Sequence, residues 1–157
     1  MSFKESIATF YPISSDVNID GYVSYKTAPA PRIVYTVDDF PAIINVKCII
    51  GLHLYSKPGL DYHIVIHALD SSGEKANLDK GALISHHKFF DITYVGEDKV
   101  SYFLNSYIDH VQVRDAGVYE LVAVLYSGDA GDEDSKKVEL DSSSSYLHVI
   151  KGNHNGG

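Results

Sequence analysis

The recurrence of apolar side chains at every second position, in two runs between residues 45 and 68, is the feature that most restricts how this 157-residue chain can fold. Apolar residues stand at every second position from Val46 to Leu54, and again from Tyr62 to Ala68. A Lys-Pro-Gly turn lies between the two runs. Because a period of two places alternate side chains on opposite faces of a strand, the pattern predicts two β-strands, each with one buried face.

The remainder of the chain is also typical of sheet. It holds 51 Val, Ile, Tyr, Phe and Thr residues against 29 Ala, Leu, Met, Gln and Glu, and Gly, Pro and Asp punctuate it at short intervals. Such a chain favours a sandwich or barrel of short strands. Further strands are predicted at Ile7–Ile13, Tyr22–Tyr25, Ile33–Val37, Leu83–Ser85, Phe89–Val95, Gly117–Tyr126 and Tyr146–Ile150. We predict a single antiparallel all-β sandwich domain over residues 1–151 and a flexible tail over 152–157.

One segment favours a helix by its own pattern. Apolar residues at Val100, Phe103, Leu104, Tyr107, Ile108 and Val111 fit the spacing of an amphipathic helix. Taken alone, residues 100–111 therefore predict one short helix within the sandwich, whereas the family resemblance described next places a strand there.

The stretch from Ile108 to Tyr119 resembles the corner between the fifth and sixth strands of immunoglobulin-like domains, where Asp115, Gly117 and Tyr119 would form a tyrosine corner. The resemblance implies that Tyr119 returns its hydroxyl to the turn backbone. It also aligns Cys48 with the cysteine of the second strand, but Leu121 stands where the partner cysteine would be and the chain has no tryptophan. It therefore implies a sandwich without the disulfide.

A second resemblance extends over most of the chain. The order of its turn motifs, from Asp20-Gly21 through Phe40-Pro41 and Pro58-Gly59 to Leu69–Gly73, is similar to a family of small bacterial β-sandwich proteins of unknown function. This likeness implies a sandwich of bacterial or phage origin, and it supplies no activity.

Charge and cysteine content narrow the classes of function. The formal net charge is −8, and only Arg32 and Arg114 are arginines. Because arginine is the preferred residue for phosphates and base edges, we expect no nucleic-acid partner. No apolar run is long enough for a membrane span, and the N-terminal residues do not read as a signal peptide because Glu5 interrupts them. A single cysteine suits a reducing compartment, so we expect a cytoplasmic protein that does not bind membranes.

Histidines are the candidates for metal chemistry. His53, His63 and His67 have the outward parity of the two alternating strands, and imidazole is a common metal ligand. The three would share a face if the strands formed a simple hairpin, and would face opposite ways in an immunoglobulin-like layout. Since no zinc signature, nucleophile motif or phosphate-binding loop is present, we expect no enzyme, cofactor or metal. A small histidine-rich metal-binding protein or hydrolase stays the alternative of another class.

An acidic loop is the densest charge cluster of the sequence. It holds Asp129, Asp132, Glu133 and Asp134, and an immunoglobulin-like layout would place it at the same end of the sandwich as the turn that contains Lys57. Loops on a rigid scaffold are common recognition sites, so these five residues are the predicted partner contacts. The sequence favours a non-enzymatic protein-binding or assembly module, with a phage or mobile-element inhibitor as the alternative. Homo-oligomers through a sheet edge or face are also left open.

Overall fold

Nine β-strands account for the regular structure of the residues that the computed structural model describes, which are 3–14, 29–56, 61–77, 80–84, 93–94, 98–128 and 138–152. Their bounds are β1 Ser6–Ile13, β2 Val34–Val37, β3 Ala42–Tyr55, β4 Tyr62–Leu69, β5 Lys80–Ile84, β6 Thr93–Tyr94, β7 Lys99–Val113, β8 Gly117–Ser127 and β9 Val138–Lys151. The described residues contain no helix, and so none long and apolar enough to cross a bilayer.

The strands form two sheets, which we call sheet A and sheet B. Sheet A has the order β1-β3-β7-β6, and sheet B has the order β2-β9-β8-β4-β5. All of these pairings are antiparallel except that of β2 with β9, which is parallel. The prediction of an antiparallel all-β sandwich is confirmed. The two strands with alternating apolar residues, β3 and β4, lie in opposite sheets and do not form a simple hairpin.

Alternation along β3 and β4 determines which side chains form the core. The inward residues of β3, from Val46 to Leu54, are at most 1% exposed, and those of β4, from Tyr62 to Ala68, at most 5%. They join inward residues of β1, β7, β8 and β9 in one cluster between the sheets. Burial of this apolar surface is the main stabilising contribution. Cys48 and Leu121 both lie in this core, so the position of the absent disulfide is filled by packed side chains.

The helix predicted from the pattern of residues 100–111 is wrong, because this segment is the centre of strand β7. It pairs with β3 from Val113 back to Lys99. Val100, Leu104 and Ile108 face the core, whereas Phe103 and Tyr107 lie on the opposite face of the strand. Apolar side chains on both faces of a strand imitate the spacing of a helix, and long-range pairing decides between the two.

Several strand bounds differ from those predicted. Strand β9 begins at Val138 and continues through the four serines at 142–145, which the apolar pattern had left outside. Strand β5 begins at Lys80, before the predicted start at Leu83, and β6 lies at Thr93–Tyr94. The other residues of the strands predicted at Leu83–Ser85 and Phe89–Val95 lie in part outside the described residues. The strand predicted at Tyr22–Tyr25 and most of the predicted tail lie outside the described residues. Gly152, the first residue of that tail, donates its N–H to the Val37 carbonyl (2.7 Å).

Candidate interaction surface

The outer face of sheet A carries more apolar side chains than a two-layer sandwich needs. Residues paired across antiparallel strands share a face, so the register identifies the outward positions of β1, β3 and β7. Together with Phe3, which precedes β1, their ring-bearing and cationic members form a surface that we call the aromatic face. Its members are Phe3, Tyr11, Lys47, His53, Tyr55, Lys99, Phe103 and Tyr107.

At one end of the aromatic face, Phe3 packs against two rings of β3. Its ring centroid lies 4.9 Å from that of Tyr55 and 6.5 Å from that of His53, both in edge-to-face geometry. The ammonium group of Lys99 lies 5.7 Å from the Phe3 ring centroid, within the range of a cation–π contact. All four side chains stay partly accessible to solvent.

His53 makes a side-chain hydrogen bond to the residue opposite it on β7. Its Nδ1 lies 2.6 Å from the Ser101 hydroxyl oxygen. A serine–histidine contact is one part of a nucleophile–base arrangement, which also needs a group that orients the imidazole and donors for the developing oxyanion. The contact observed around the rest of the ring is the edge of Phe3, an apolar group. We therefore interpret the pair as a cross-strand hydrogen bond that fixes the orientation of His53.

The centre of the aromatic face is closely packed around Gly51. A Cβ atom at this position would meet Phe103 Cε1 and Thr9 Cγ2, each at 2.8 Å. The Phe103 ring therefore lies over the glycine and shields the backbone of β3. Beside it, Ile13 and Ile49 are fully buried although they lie outside the main core. A second, smaller hydrophobic cluster thus supports this face.

The other end of the aromatic face is the most exposed. Tyr107 is 47% exposed, and the ammonium group of Lys47 on the neighbouring strand lies 5.8 Å from its ring centroid. Burial raises the pKa of Tyr11, whose hydroxyl donates to the Pro29 carbonyl (3.1 Å). The Tyr11 hydroxyl is therefore protonated at neutral pH and acts as an uncharged hydrogen-bonding group.

The charge of this surface differs from that of the whole chain. Between the row of Lys47 and the row of Tyr55, the outward positions of β1, β3 and β7 include two lysines and neither an aspartate nor a glutamate. The nearby Glu5 instead hydrogen-bonds to the inward-facing Tyr62. In a chain of net charge −8, an area without carboxylates is a locally positive surface.

The three histidines proposed as weak metal candidates are not brought together. His53 lies on the outer face of sheet A, whereas His63 and His67 lie on strand β4 of sheet B. The latter two are four residues apart on one strand, which separates them by about 13 Å. His63 is buried against Tyr126, with ring centroids 6.4 Å apart. Within the described ranges, no group of three His, Cys, Asp or Glu side chains could hold a metal ion.

The partner-contact residues predicted from the sequence, Lys57, Asp129, Asp132, Glu133 and Asp134, lie outside the described residues. The residues that flank their loops are described. The Gly128 N–H donates to the Asp61 carbonyl (3.0 Å), and the Ser56 N–H donates to the Asp98 carbonyl (2.7 Å). Ser56 and Gly128, the described residues before the two loops, therefore lie at the end of the sandwich that also holds Tyr55 and Lys99.

The predicted corner is present at the opposite end of β8. The Tyr119 hydroxyl donates to the Asp115 carbonyl (3.1 Å), and Gly117 has a φ of 155°. Burial of the Tyr119 ring raises its pKa. The corner residues Asp115 and Tyr119 border a cleft of about 230 Å³, which is lined by both signs of charge, including Asp70, Glu74, Lys75 and Arg114. Its lining residues include neither a histidine nor a cysteine.

Sequence reasoning did not identify the face on which the rings gather. A signal is present in the spacing of Phe103 and Tyr107, but this spacing fits a helix as well as a strand with two apolar faces. Phe3 carried no signal, because its position on the sheet follows from the path of the chain before β1.

No known protein family matches the chain, and no curated protein sequence matches it. Among solved structures, a β-glucuronidase from Bifidobacterium dentium, complexed with coumarin-3-O-glucuronide, aligns over 93% of this chain with 14% identity and a TM-score of 0.43. The chain spans only 18% of that enzyme. The CooA pilin subunit from enterotoxigenic Escherichia coli aligns over 83% of this chain and 97% of its own length, with 10% identity and a TM-score of 0.34. At these scores neither likeness identifies a function.

Proposed function

We propose that this chain is a non-enzymatic module that binds another protein through the aromatic face. The observation that carries the proposal is a sheet surface with six rings and two lysines on a chain of net charge −8. Among the described residues, the outward positions of β1, β3 and β7 between the rows of Lys47 and Tyr55 hold no carboxylate. The core between the two sheets already buries the inward residues. The fold by itself does not need a second apolar face, and exposed apolar surface commonly marks an interaction site.

The chemistry of the face suggests the chemistry of the partner. Tyr107 and Tyr55 offer large, rigid contact areas of the kind that dominates binding energy at interfaces. Lys47 and Lys99 lie against rings at opposite ends of the face. A fitting partner surface therefore has apolar side chains at its centre and an acidic side chain at each end.

Binding rather than catalysis is supported by shape. Active sites are concave and gather polar groups at one point, whereas the aromatic face is the surface of a sheet. An inhibitor of phage or mobile-element origin would be a special case of the same proposal. It would bind in the same way and would, in addition, reduce the activity of its partner.

The test compares two exposed tyrosines on opposite sides of the sandwich. Tyr107 belongs to the aromatic face, and Tyr146, 58% exposed, lies on the outer face of sheet B. A photo-crosslinking phenylalanine analogue at each position, used in a host lysate, should capture a protein from position 107 and not from position 146. With the captured protein in hand, Tyr107→Ala should weaken binding about tenfold or more, and Tyr146→Ala should not.

Three results would contradict the proposal. The first is capture from position 146 alone, and the second is an unchanged dissociation constant for Tyr107→Ala and Lys47→Glu. The third is tight binding of a single-stranded oligonucleotide to the same face, lost in Lys47→Glu, because rings interleaved with cations can also stack bases.

A further inference from the structure

Phe3 lies beside the end of β3 but outside the ladder of sheet A. Strand β1 begins at Ser6, which pairs with His53, so this ladder starts two residues short of Tyr55. On its other side, Tyr55 pairs with Lys99 of β7. The Phe3 ring covers the place beside Tyr55, and the Lys99 ammonium group lies 5.7 Å from the centroid of that ring. A residue that precedes β1 thus lies on side chains that belong to two other strands.

The side chains under that ring form a site of their own, which we call the ring site. Its members are His53, Tyr55 and Lys99. Other contacts hold their positions: His53 Nδ1 lies 2.6 Å from the Ser101 hydroxyl oxygen. The Tyr55 backbone N–H donates to the hydroxyl of the fully buried Tyr62 (3.0 Å), and Lys99 is part of the ladder between β3 and β7. The ring site is therefore built by the strands and does not depend on the residue that covers it.

The Phe3 ring is held less firmly than the site beneath it. Attachment of the chain to both sheets begins at Glu5, whose carboxylate accepts a hydrogen bond from the Tyr62 hydroxyl, and at Ser6, the first residue of the ladder. Lys4 is exposed, and Phe3 stays partly accessible to solvent. A rotation of the backbone at Lys4 would therefore remove the ring from the site and leave β1 paired. Segments outside a ladder, with accessible side chains, open at low cost in free energy.

The chemistry of the ring site indicates what else it binds. Edge-to-face ring contacts and an ammonium group near the face of a ring both recognise the quadrupole of an aromatic side chain, which an aliphatic side chain lacks. The site also lies at one end of the aromatic face, so a partner that covers this face meets Phe3 there. We propose that the ring site binds an aromatic side chain of the protein partner, and that Phe3 occupies the site in the free chain. This inference rests on the proposed function and names the type of partner residue at this end of the face.

Titration with N-acetyltryptophanamide, followed by two-dimensional NMR of the backbone amides, tests the ring site directly. Tryptophan is the best ring for a cation–π contact, and this probe carries no net charge. Phe3→Ala should bind the probe about fivefold more tightly than the parent chain, because an occupant that competes for a site raises the apparent dissociation constant. The shifts should centre on the amides of Tyr55 and Lys99. N-acetylleucinamide should cause no such shifts.

Two further variants separate the ring site from a general effect of substitution. The double variant Phe3→Ala/Tyr55→Ala removes one side of the site and should lose the gain in affinity. Tyr146→Ala is the matched control, because it removes an exposed ring from the outer face of sheet B, and it should bind the probe like the parent chain. Equal affinity of the parent and Phe3→Ala for N-acetyltryptophanamide would overturn the proposal, as would equal binding of the leucine analogue.

The partner captured through position 107 provides an independent readout. Phe3→Ala should bind it about fivefold more tightly and Tyr55→Ala less tightly, whereas weaker binding by Phe3→Ala would mean that Phe3 is itself a partner contact, contrary to the proposal. If Tyr107→Ala binds the partner like the parent chain, the proposed function fails, and the probe titration still decides whether the ring site accepts aromatic side chains. Sedimentation velocity tests one more occupant. A dimer of the parent chain that is lost in Phe3→Ala would show that the ring in the site comes from a second copy, and would contradict the proposal.

Discussion

Single residues of this chain act mainly through the backbone positions that they fix. The corner before β8 shows this for Tyr119, which ties its own hydroxyl to a carbonyl four residues earlier, and for Gly117, which adopts a positive φ. No atom lies within 4 Å of a Cβ built on Gly117. A side chain there would have space, so any cost of substitution comes from the backbone conformation alone.

Tyr119→Phe should lower the free energy of unfolding by about 1 kcal/mol, the net contribution of one hydrogen bond. Gly117→Val should lower it more, because a β-branched residue tolerates positive φ poorly. Chemical denaturation followed by circular dichroism measures both. Tyr126→Phe is a matched control on the same strand, and it should change little. If Gly117→Val and Tyr119→Phe unfold like the parent, the corner contributes nothing to stability.

Burial of the Cys48 thiol makes the free energy of unfolding depend on pH in the alkaline range. Its side chain is fully buried, and burial raises the pKa of the thiol from 9.0 to about 12. Between these values the unfolded chain loses a proton that the folded chain keeps. The contribution of this thiol is therefore constant below about pH 9 and is lost as the pH rises toward 12.

Two measurements check this prediction. A thiol reagent should label Cys48 only after denaturation, since the thiolate is the reactive form. Cys48→Ala should cost about 1 kcal/mol at pH 7 for its small cavity and should show a shallower loss of stability above pH 9. Tyr62 and Tyr119, whose pKa values are also raised by burial, titrate in both proteins and cancel in the comparison. Rapid labelling of the folded chain would contradict the inward position of Cys48.

At the scale of elements, alternation was a reliable guide where one face of a strand is apolar. Strands β3 and β4 were predicted with the correct core-facing side chains for this reason, although Ile49 and His63, at the outward positions, are buried as well. Strand β7 was ambiguous because Phe103 and Tyr107 make its second face apolar too. Strand β9 was predicted too short because serines at 142–145 carry no apolar signal, although they pair with β8 along its length. Pairing between distant segments, rather than local preference, determines such elements.

The candidate sites also depend on local pattern for their residue types and on long-range pairing for their geometry. The sequence identified histidines and an acidic loop as chemistry-bearing groups, but their positions relative to one another depend on topology. His53 and His63 belong to adjacent strands in sequence and to different sheets in space. The aromatic face could not be predicted because it combines residues from β1, β3, β7 and the segment before β1.

The acidic loop between β8 and β9 stays a prediction about association rate. Gly128, the described residue directly before Asp129, lies at the end of the sandwich where Tyr55 and Lys99 lie, and the loop also holds Asp132, Glu133 and Asp134. Charges at the rim of an interface act mainly on the rate of encounter and are screened by salt. Changing all four to Asn or Gln should slow association with a protein partner that carries basic residues nearby, and should leave the melting temperature almost unchanged.

Stopped-flow association at two salt concentrations measures the effect. The parent should associate more slowly at high salt, and the fourfold variant should show a flatter dependence. As a control of equal size in charge, four lysines outside this end of the sandwich can be changed to Gln. Equal association rates for parent and variant at low salt would mean that the four loop carboxylates are solvated and do not contribute to association.

At the scale of the whole molecule, the two sheets are joined by hydrogen bonds as well as by the core between them. Tyr55 of sheet A donates its N–H to the Tyr62 hydroxyl of sheet B (3.0 Å). The Tyr35 hydroxyl of β2 donates to the Ile13 carbonyl at the end of β1. At the other end of β1, the Ile7 N–H donates to the Asp141 carboxylate on β9 (2.8 Å). Hydrogen bonds therefore connect both ends of β1, an edge strand of sheet A, to sheet B.

Asp141 is the member of this set whose removal is most informative, since its two carboxylate oxygens bind the backbone of both sheets. One oxygen accepts the Ile7 N–H and the other accepts the Ser142 N–H (2.9 Å). Hydrogen bonds to a charged acceptor contribute more than neutral ones. Asp141→Ala should therefore lower the free energy of unfolding by about 2 kcal/mol. Asp141→Asn keeps one acceptor oxygen and should lower it by less.

Hydrogen exchange distinguishes a local from a global effect. If Asp141 fastens the edge of sheet A to sheet B, the amides of β1 should exchange faster in Asp141→Ala while those of β4 and β8 keep their relative protection. Glu139→Ala, an exposed carboxylate on the same strand, serves as the control and should change neither stability nor exchange in β1. Uniformly faster exchange in every strand would mean that the carboxylate stabilises the fold as a whole. In that case, the attachment of β1 would depend on its pairing with β3 and on the core alone.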